Sequence, residues 1–150
     1  MKPQTDIIIK KATDADWHTL SLLRHKLWPQ DTAKAHEKDI QSLVQEMPYC
    51  VFLAYDGTDA IGFTETSLRP YVNGCLYRPA GFLEGIWVHP DYQKQAIGQA
   101  LVKICESWAK ENGAKEMASD AYLENIAAHH AHAGWGFDMT EKVVYFRKKL

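Results

Sequence analysis

The order of apolar and polar positions divides the chain into strand and helix patterns. Ile7-Ile8-Ile9 is a short β-branched run that predicts a first strand. Thr13 with Asp16 three residues on has the form of a capping box. Trp17, Leu20, Leu23 and Leu27 then recur at helical spacing up to Pro29. Ile40, Leu43, Val44 and Met47 mark one buried face of a second helix, which stops at Pro48. Cys50 to Tyr55 is almost wholly apolar, as in a strand covered on both faces. Asp56-Gly57-Thr58-Asp59 is a turn, and Ala60 to Leu68 returns as the second strand of a hairpin. Arg69 to Ala80 is a loop, and Phe82 to Val88 is a strand closed by His89-Pro90. Ile97 to Asn112 is an amphipathic helix with Gly113 as its C-cap. Lys115 to Asp120 predicts a strand and Asn125 to Ala133 a short helix, broken at Gly134-Trp135-Gly136-Phe137. Val143-Val144-Tyr145-Phe146 predicts a final strand, with room for one more near Phe137. Antiparallel strands precede helix-linked ones. The expected class is α/β (α+β), a mixed, twisted central sheet flanked by helices.

Composition narrows the options. The 150 residues suit a single domain over 1–150 that can bury a core without disulfides or metal. Lys and Arg number 17 against 19 Asp and Glu, a net charge of −2, so there is no basic field for non-specific nucleic-acid binding. No apolar run approaches the roughly 20 residues of a membrane span, and Met1-Lys2-Pro3-Gln4-Thr5-Asp6 lacks the apolar stretch of a signal peptide. The three cysteines, Cys50, Cys75 and Cys105, show no Cys-x-x-Cys spacing and read as reduced thiols of a cytoplasmic protein.

The segment from Glu84 to Gly98 carries the clearest chemistry. A strand feeds a polar loop that opens into a long helix, whose first N–H groups and dipole form an anion site. Gly98 permits close approach of a ligand, and Lys94 adds charge. The bland reading is an ordinary turn. The segment has neither the Gly-Lys-Ser/Thr of a Walker loop nor the three glycines of a dinucleotide fingerprint. Glu84 stands mid-strand among apolar residues, where a carboxylate is an edge residue, an ion-pair member or a base for amine deprotonation. Asp31, Asp39, Asp120 and Glu141 taken singly read as solvated charges, and Trp28 and Tyr71 as packing aromatics. His129 and His132 share a helix face, but no third ligand is evident, so no metal is expected. Tyr92 reads as a surface residue, and Cys105 as an inert thiol on an apolar helix face.

Val88-x-Pro90-x-x-Gln93-x-x-Ala96-Ile97-Gly98 resembles the pyrophosphate loop of the GCN5-related N-acetyltransferases. Asn125-x-x-Ala128 followed by Gly136-Phe137 is similar to that family's late Asn…Gly-Phe segment. Trp28-Pro29, Tyr71-Val72-Asn73-Gly74, Phe82 to Ile86, Ser107 to Lys110, Ala118 to Ala121 and Thr140 to Phe146 resemble one branch, the aminoglycoside 6'-N-acetyltransferases. The likeness runs from about Trp17 to Lys148. Three positions depart from the family pattern. Ala96 replaces the first loop glycine, Gln93 replaces a basic residue, and His132 stands where many members carry a tyrosine.

The resemblance implies direct acetyl transfer from acetyl-CoA, without a metal, to the 6'-amino group of an aminoglycoside, and a homodimer. Ile86, Trp87 and Val88 would pair with the pantetheine arm, with the Val88 N–H facing the thioester oxygen. Lys94, Gln95, Ala96, Ile97, Gly98 and Gln99 would hold the pyrophosphate, with Asn125 and His132 on the cofactor side. Trp28, Asp31, Asp39, Tyr71, Asp120 and Glu141 would contact the substrate, and Glu84 would help remove the amine proton. The alternatives are an acetyltransferase for a polyamine or a protein N-terminus, and a silent acyl-CoA-binding module suggested by Ala96.

Overall fold

A computed structural model describes residues 6–150. The leader reading rested on residues 1–6, of which 1–5 lie outside the described residues. The elements are β1 (Ile7–Lys11), a 3-10 turn (Asp14–Asp16), α1 (Trp17–Leu27), α2 (Ala33–Glu46), β2 (Tyr49–Asp56), β3 (Asp59–Arg69) and β4 (Ala80–Val88). A second 3-10 turn (Pro90–Tyr92), α3 (Ile97–Glu111), β5 (Met117–Ser119) and α4 (Ile126–Gly134) follow. The five strands form one sheet in the order β1-β2-β3-β4-β5. The first three pairings are antiparallel, and β4 pairs β5 in parallel across the α3 crossover.

Strand alternation divides the core into two layers. Cys50, Phe52 and Ala54 of β2 face α3, where Leu101, Val102 and Cys105 are buried. Val51 and Leu53 face the other way and pack with Phe63 of β3, Leu20 and Leu23 of α1 and Ile40 of α2. Continuous apolarity in β2 follows from this two-sided burial. The capping box forms as expected, with the Thr13 N–H donating to Asp16 Oδ2 at 2.8 Å. Thr32 starts α2 by accepting from the Ala35 N–H at 3.1 Å. Among the described residues no helix is long and apolar enough to cross a membrane.

Three expectations need correction. Val143 to Phe146 form no strand, nor does the chain near Phe137. Residues 137–150 carry neither helix nor strand, and Val144, Tyr145 and Phe146 are exposed. β-propensity supplies no partner, and a four-residue apolar run needs cover on both faces that this part of the chain does not provide. The strand expected over Lys115 to Asp120 shrinks to β5 because only Gly81 to Leu83 of β4 pair with it. Tyr92 is buried against the α3-side core, not on the surface. Its hydroxyl donates to Asp56 Oδ2 at 2.5 Å, and this bond to a carboxylate pushes its pKa up to about 12.

The start of α3 keeps the left-handed backbone that a glycine would favour. Ala96 has φ 62° and Lys94 φ 60°. An L-residue in this region loses about 1–2 kcal/mol to contact between Cβ and the following carbonyl. Glycine removes that contact but adds freedom to the unfolded chain. Ala96→Gly should therefore raise stability by about 0.5–1 kcal/mol, read as a higher urea midpoint. An unchanged or lower midpoint would refute strain at this position.

Candidate active site

The two edges of β4 are used differently. Toward β3 it is paired along its length, from Ala80 opposite Arg69 to Val88 opposite Gly62. Toward β5 the pairing stops at Leu83. The His89 N–H donates to the Ile61 carbonyl of β3 at 2.7 Å. Antiparallel alternation then turns Trp87 toward Phe63, and turns the N–H and C=O of Ile86 and Val88 to the opposite edge. An extended ligand fits that edge as an added strand. Trp87, expected to share it, instead directs its backbone to β3 and packs its ring in the α1-side core. Gln93 Nε2 donates to the Val88 carbonyl at 3.1 Å, which leaves the Val88 N–H as the group offered to the edge.

The loop before α3 has the form of an anion site. Gln95 Nε2 braces it by donating to the Asp91 carbonyl at 3.2 Å. The first helical bond of α3 runs from the Ala100 N–H to the Ala96 carbonyl at 3.0 Å. The N–H groups of Ile97, Gly98 and Gln99 therefore have no acceptor within the helix. Left-handed Lys94 and Ala96 curve the preceding backbone into a nest of N–H groups. A pyrophosphate fits this donor set. Gly98 has a different use from the one expected: a Cβ there would lie 3.2 Å from Trp135 Cζ2, so its bareness makes room for that ring. Asn125 caps α4, accepting from the Ala128 N–H at 3.1 Å. His132 Nδ1 lies 2.7 Å from the Ala128 carbonyl, an acceptor only, so Nδ1 carries a proton. Its Nε2 lies 2.8 Å from Ser119 Oγ, and its ring packs against Trp135 and Phe137.

A cleft of about 650 Å³ opens on the α1–α2 side of the sheet. Trp28, Asp31, Asp39, Tyr71 and Glu84 all line it. Asp120 and Glu141 do not: Asp120 is exposed beyond β5, and Glu141 lies on the exposed segment after α4. Trp28 ends α1 and rests on β4. A Cβ on Gly85 would come within 2.5 Å of its ring, so this glycine is the seat of the tryptophan.

Glu84 reaches the cleft through a bulge. Glu65 stands opposite Gly85 and Thr66 opposite Leu83, so Glu84 is the extra residue. Its Oε1 accepts from Ser67 Oγ at 2.6 Å and Arg69 Nε at 3.0 Å. Its Oε2 accepts from Arg69 NH2 at 2.8 Å. A carboxylate has about four acceptor positions. Among the described residues these bonds leave one, on Oε2.

Behind the wall lies a buried ionic group absent from the sequence reading. Arg24 is 5% exposed and Glu65 0%. Arg24 NH1 donates to the His36 carbonyl at 3.0 Å and NH2 to Asp39 Oδ2 at 2.9 Å. Arg24 Nε lies 2.8 Å from Glu65 Oε1, an ion pair set off the line of a hydrogen bond. The Tyr49 hydroxyl donates a short bond to Glu65 Oε2. Burial pushes the Glu65 carboxyl up to about 7 against the opposing pull of Arg24 and Tyr49. Tyr49 is pushed far above its usual range by burial and by that carboxylate. The signal was periodicity. Glu65 and Arg69 fall in the two-residue phase of Phe63, and Arg24 sits one turn after Leu20.

Cys105 is buried 3.5 Å from Thr64 Oγ1, and burial pushes its thiol up to about 12, which suits an inert thiol. Among the described residues no group of three or more His, Cys, Asp or Glu side chains is placed to hold a metal.

The model of the acetyltransferase (GNAT) family matches residues 14–137. The aminoglycoside N(6')-acetyltransferase type 1 of Acinetobacter haemolyticus is 41% identical over 143 residues, covering 95% of this chain and 98% of that protein. The protein of the same name from Stenotrophomonas maltophilia is 43% identical over 145 residues, covering 95% and 93%. The solved structure of AAC(6')-Iy in complex with the bisubstrate analogue CoA-S-monomethyl-acetylneamine superposes with a TM-score of 0.92 at 33% identity, covering 97% of this chain and 100% of that one. With this match over most of its length, and with an open strand edge leading to a helix-start anion site, the chain belongs to the GNAT acetyltransferase family.

Proposed function

We propose that this chain transfers the acetyl group of acetyl-CoA directly to the 6'-amino group of aminoglycoside antibiotics, with resistance as the consequence. One observation carries the reading: Glu84 lines the cleft beside Asp31 and Asp39 and lies on the same strand whose following residues offer an open backbone edge. The names of the relatives and the bisubstrate complex of AAC(6')-Iy supply the substrate class. The reaction is assigned to one domain over residues 1–150, in the cytoplasm and without a metal.

Acetyl-CoA supplies the activated acyl group. The nest from Lys94 to Gln99 holds its pyrophosphate, Ile86 and Val88 align its arm, and Asn125 and His132 border it. The Val88 N–H donates to the thioester oxygen as that oxygen gains charge. Trp28 and Tyr71 form aromatic walls for the sugar rings. Asp31 and Asp39 attract ammonium groups, while Asp120 and Glu141 meet those that extend past the cleft. Glu84, fixed by Arg69 and Ser67, uses the remaining acceptor position of Oε2 to orient the amine and take its proton, directly or through water. The C–N bond forms as the C–S bond breaks, and CoA leaves as a thiolate that takes up a proton from solvent. Orientation of the two bound substrates supplies the rest, with no covalent enzyme intermediate.

We also propose a homodimer. Val144 is 76%, Tyr145 82% and Phe146 93% exposed, a contiguous apolar run that a second copy would cover.

Three outcomes test these assignments. CoA release should be seen with 6'-amino aminoglycosides and be absent with 6'-hydroxyl ones. Turnover of spermidine or a peptide alone would overturn the substrate assignment. Glu84→Gln should lower kcat by about 100-fold, and full kcat at every pH would remove its role as proton acceptor. Light scattering should give a dimer that becomes a monomer on joint replacement of Tyr145 and Phe146 by Asp. A wild-type monomer would refute the assembly.

A further inference from the structure

The cleft that would take a polycation is lined by three carboxylates, Asp31, Asp39 and Glu84, and two of them are already tied to arginines. Asp39 is bonded to Arg24, and Glu84 to Arg69. Two neutralised pairs offer little attraction to an ammonium group. Besides Asp31, further negative charge lies one layer deeper. Arg24 is shared: Nε faces Glu65 and NH2 faces Asp39. One guanidinium between two carboxylates leaves one negative charge unbalanced.

We propose that Glu65 is a buried specificity-determining residue, which by sharing Arg24 with Asp39 sets how strongly the cleft attracts a cationic substrate. This rests on the reading of the cleft as an aminoglycoside site. With Glu65 ionised, the positive charge of Arg24 is divided and Asp39 keeps attraction for an ammonium group. With Glu65 protonated, Arg24 and Asp39 close into a neutral pair. Glu65 touches no substrate, since Arg24 and Tyr49 stand between it and the cleft. It acts as a positioning residue through Arg24.

The surroundings of Glu65 make the ionised state responsive. Arg24 from α1 and the Tyr49 hydroxyl from β2 favour it, while Asp39 from α2 and Glu84 from β4 oppose it, and burial opposes it most. His36 from α2 holds Arg24 through its carbonyl, and Arg69 on β3 itself offsets Glu84. The balance falls at about 7, so the carboxyl changes charge across the physiological range. The sign follows. As pH falls through 7 the group gains a proton, the surplus charge disappears and affinity for the polycation weakens.

The test is the KM for an aminoglycoside such as tobramycin from pH 5.5 to 8.5, for wild type, Glu65→Gln and Tyr49→Phe, with the KM for acetyl-CoA as internal control. Dividing the variant value by the wild-type value at each pH removes titration of the substrate amines. For Glu65→Gln the ratio should be near one at low pH and rise to roughly five- to ten-fold at high pH, with kcat and the acetyl-CoA KM changed less than two-fold. If Glu65→Gln fails to fold, Tyr49→Phe carries the test. It removes a bond that favours the ionised carboxylate, so the wild-type transition should move to higher pH. A flat ratio for Glu65→Gln, or a Tyr49→Phe transition that stays or moves lower, overturns the proposal. Absence of aminoglycoside turnover by the wild type overturns the underlying reading and this proposal together.

Discussion

Glu84 has no residue opposite it on β3, because Glu65 faces Gly85 and Thr66 faces Leu83. β4 must absorb this extra residue, and the rest of the site depends on how it does so. A bulge bends its strand and locally increases the twist. Before it, β4 runs beside β5, and after it the parallel pairing is gone. The residue that breaks the register is also the one that enters the cleft. One insertion thus places a carboxylate on one face of the sheet and frees the backbone of Ile86 and Val88 along its edge.

The bulge delivers Glu84 next to other charge, and the fold answers with arginines. Buried carboxylates are tolerated only when paired and hydrogen-bonded. Arg69 takes two positions on Glu84 and stacks over Phe82 at 3.5 Å. Arg24 joins α1, α2 and β3 through His36, Asp39 and Glu65, with Trp28 5.0 Å away. These contacts link the two helices above the cleft to the strand beneath it. The same bonds that hold the layers together therefore determine the charge presented to a ligand.

Much of this was legible in the sequence. Periodicity located α1, α2, α3 and the β2–β3 hairpin, because their patterns are long and Thr13 and Gly113 are local capping signals. Five of the expected substrate residues share the cleft. What escaped depends on pairing over distance. The bulge at Glu84 is a fact of register between two strands, which a linear pattern does not record. Val143 to Phe146 have the composition of a strand but no strand partner among the described residues. Gly98 looked like a ligand contact because its neighbour Trp135 is far along the chain. Arg24 and Glu65 were in phase with apolar residues, and that coincidence of charge and burial was the readable sign.

Gly85 under Trp28 has a consequence for how such a cleft can diversify. The indole lies directly on bare backbone, and a Cβ at position 85 would fall within 2.5 Å of it. The floor therefore admits no gradual adjustment: even one methyl group displaces the whole ring. Room for a larger or smaller ligand has to be found elsewhere, at the link from Pro29 to Thr32 and the loop that follows Arg69, which border the cleft without supporting the sheet. Substrate range is thus separated from foldability, with change directed to the rim and the floor held constant.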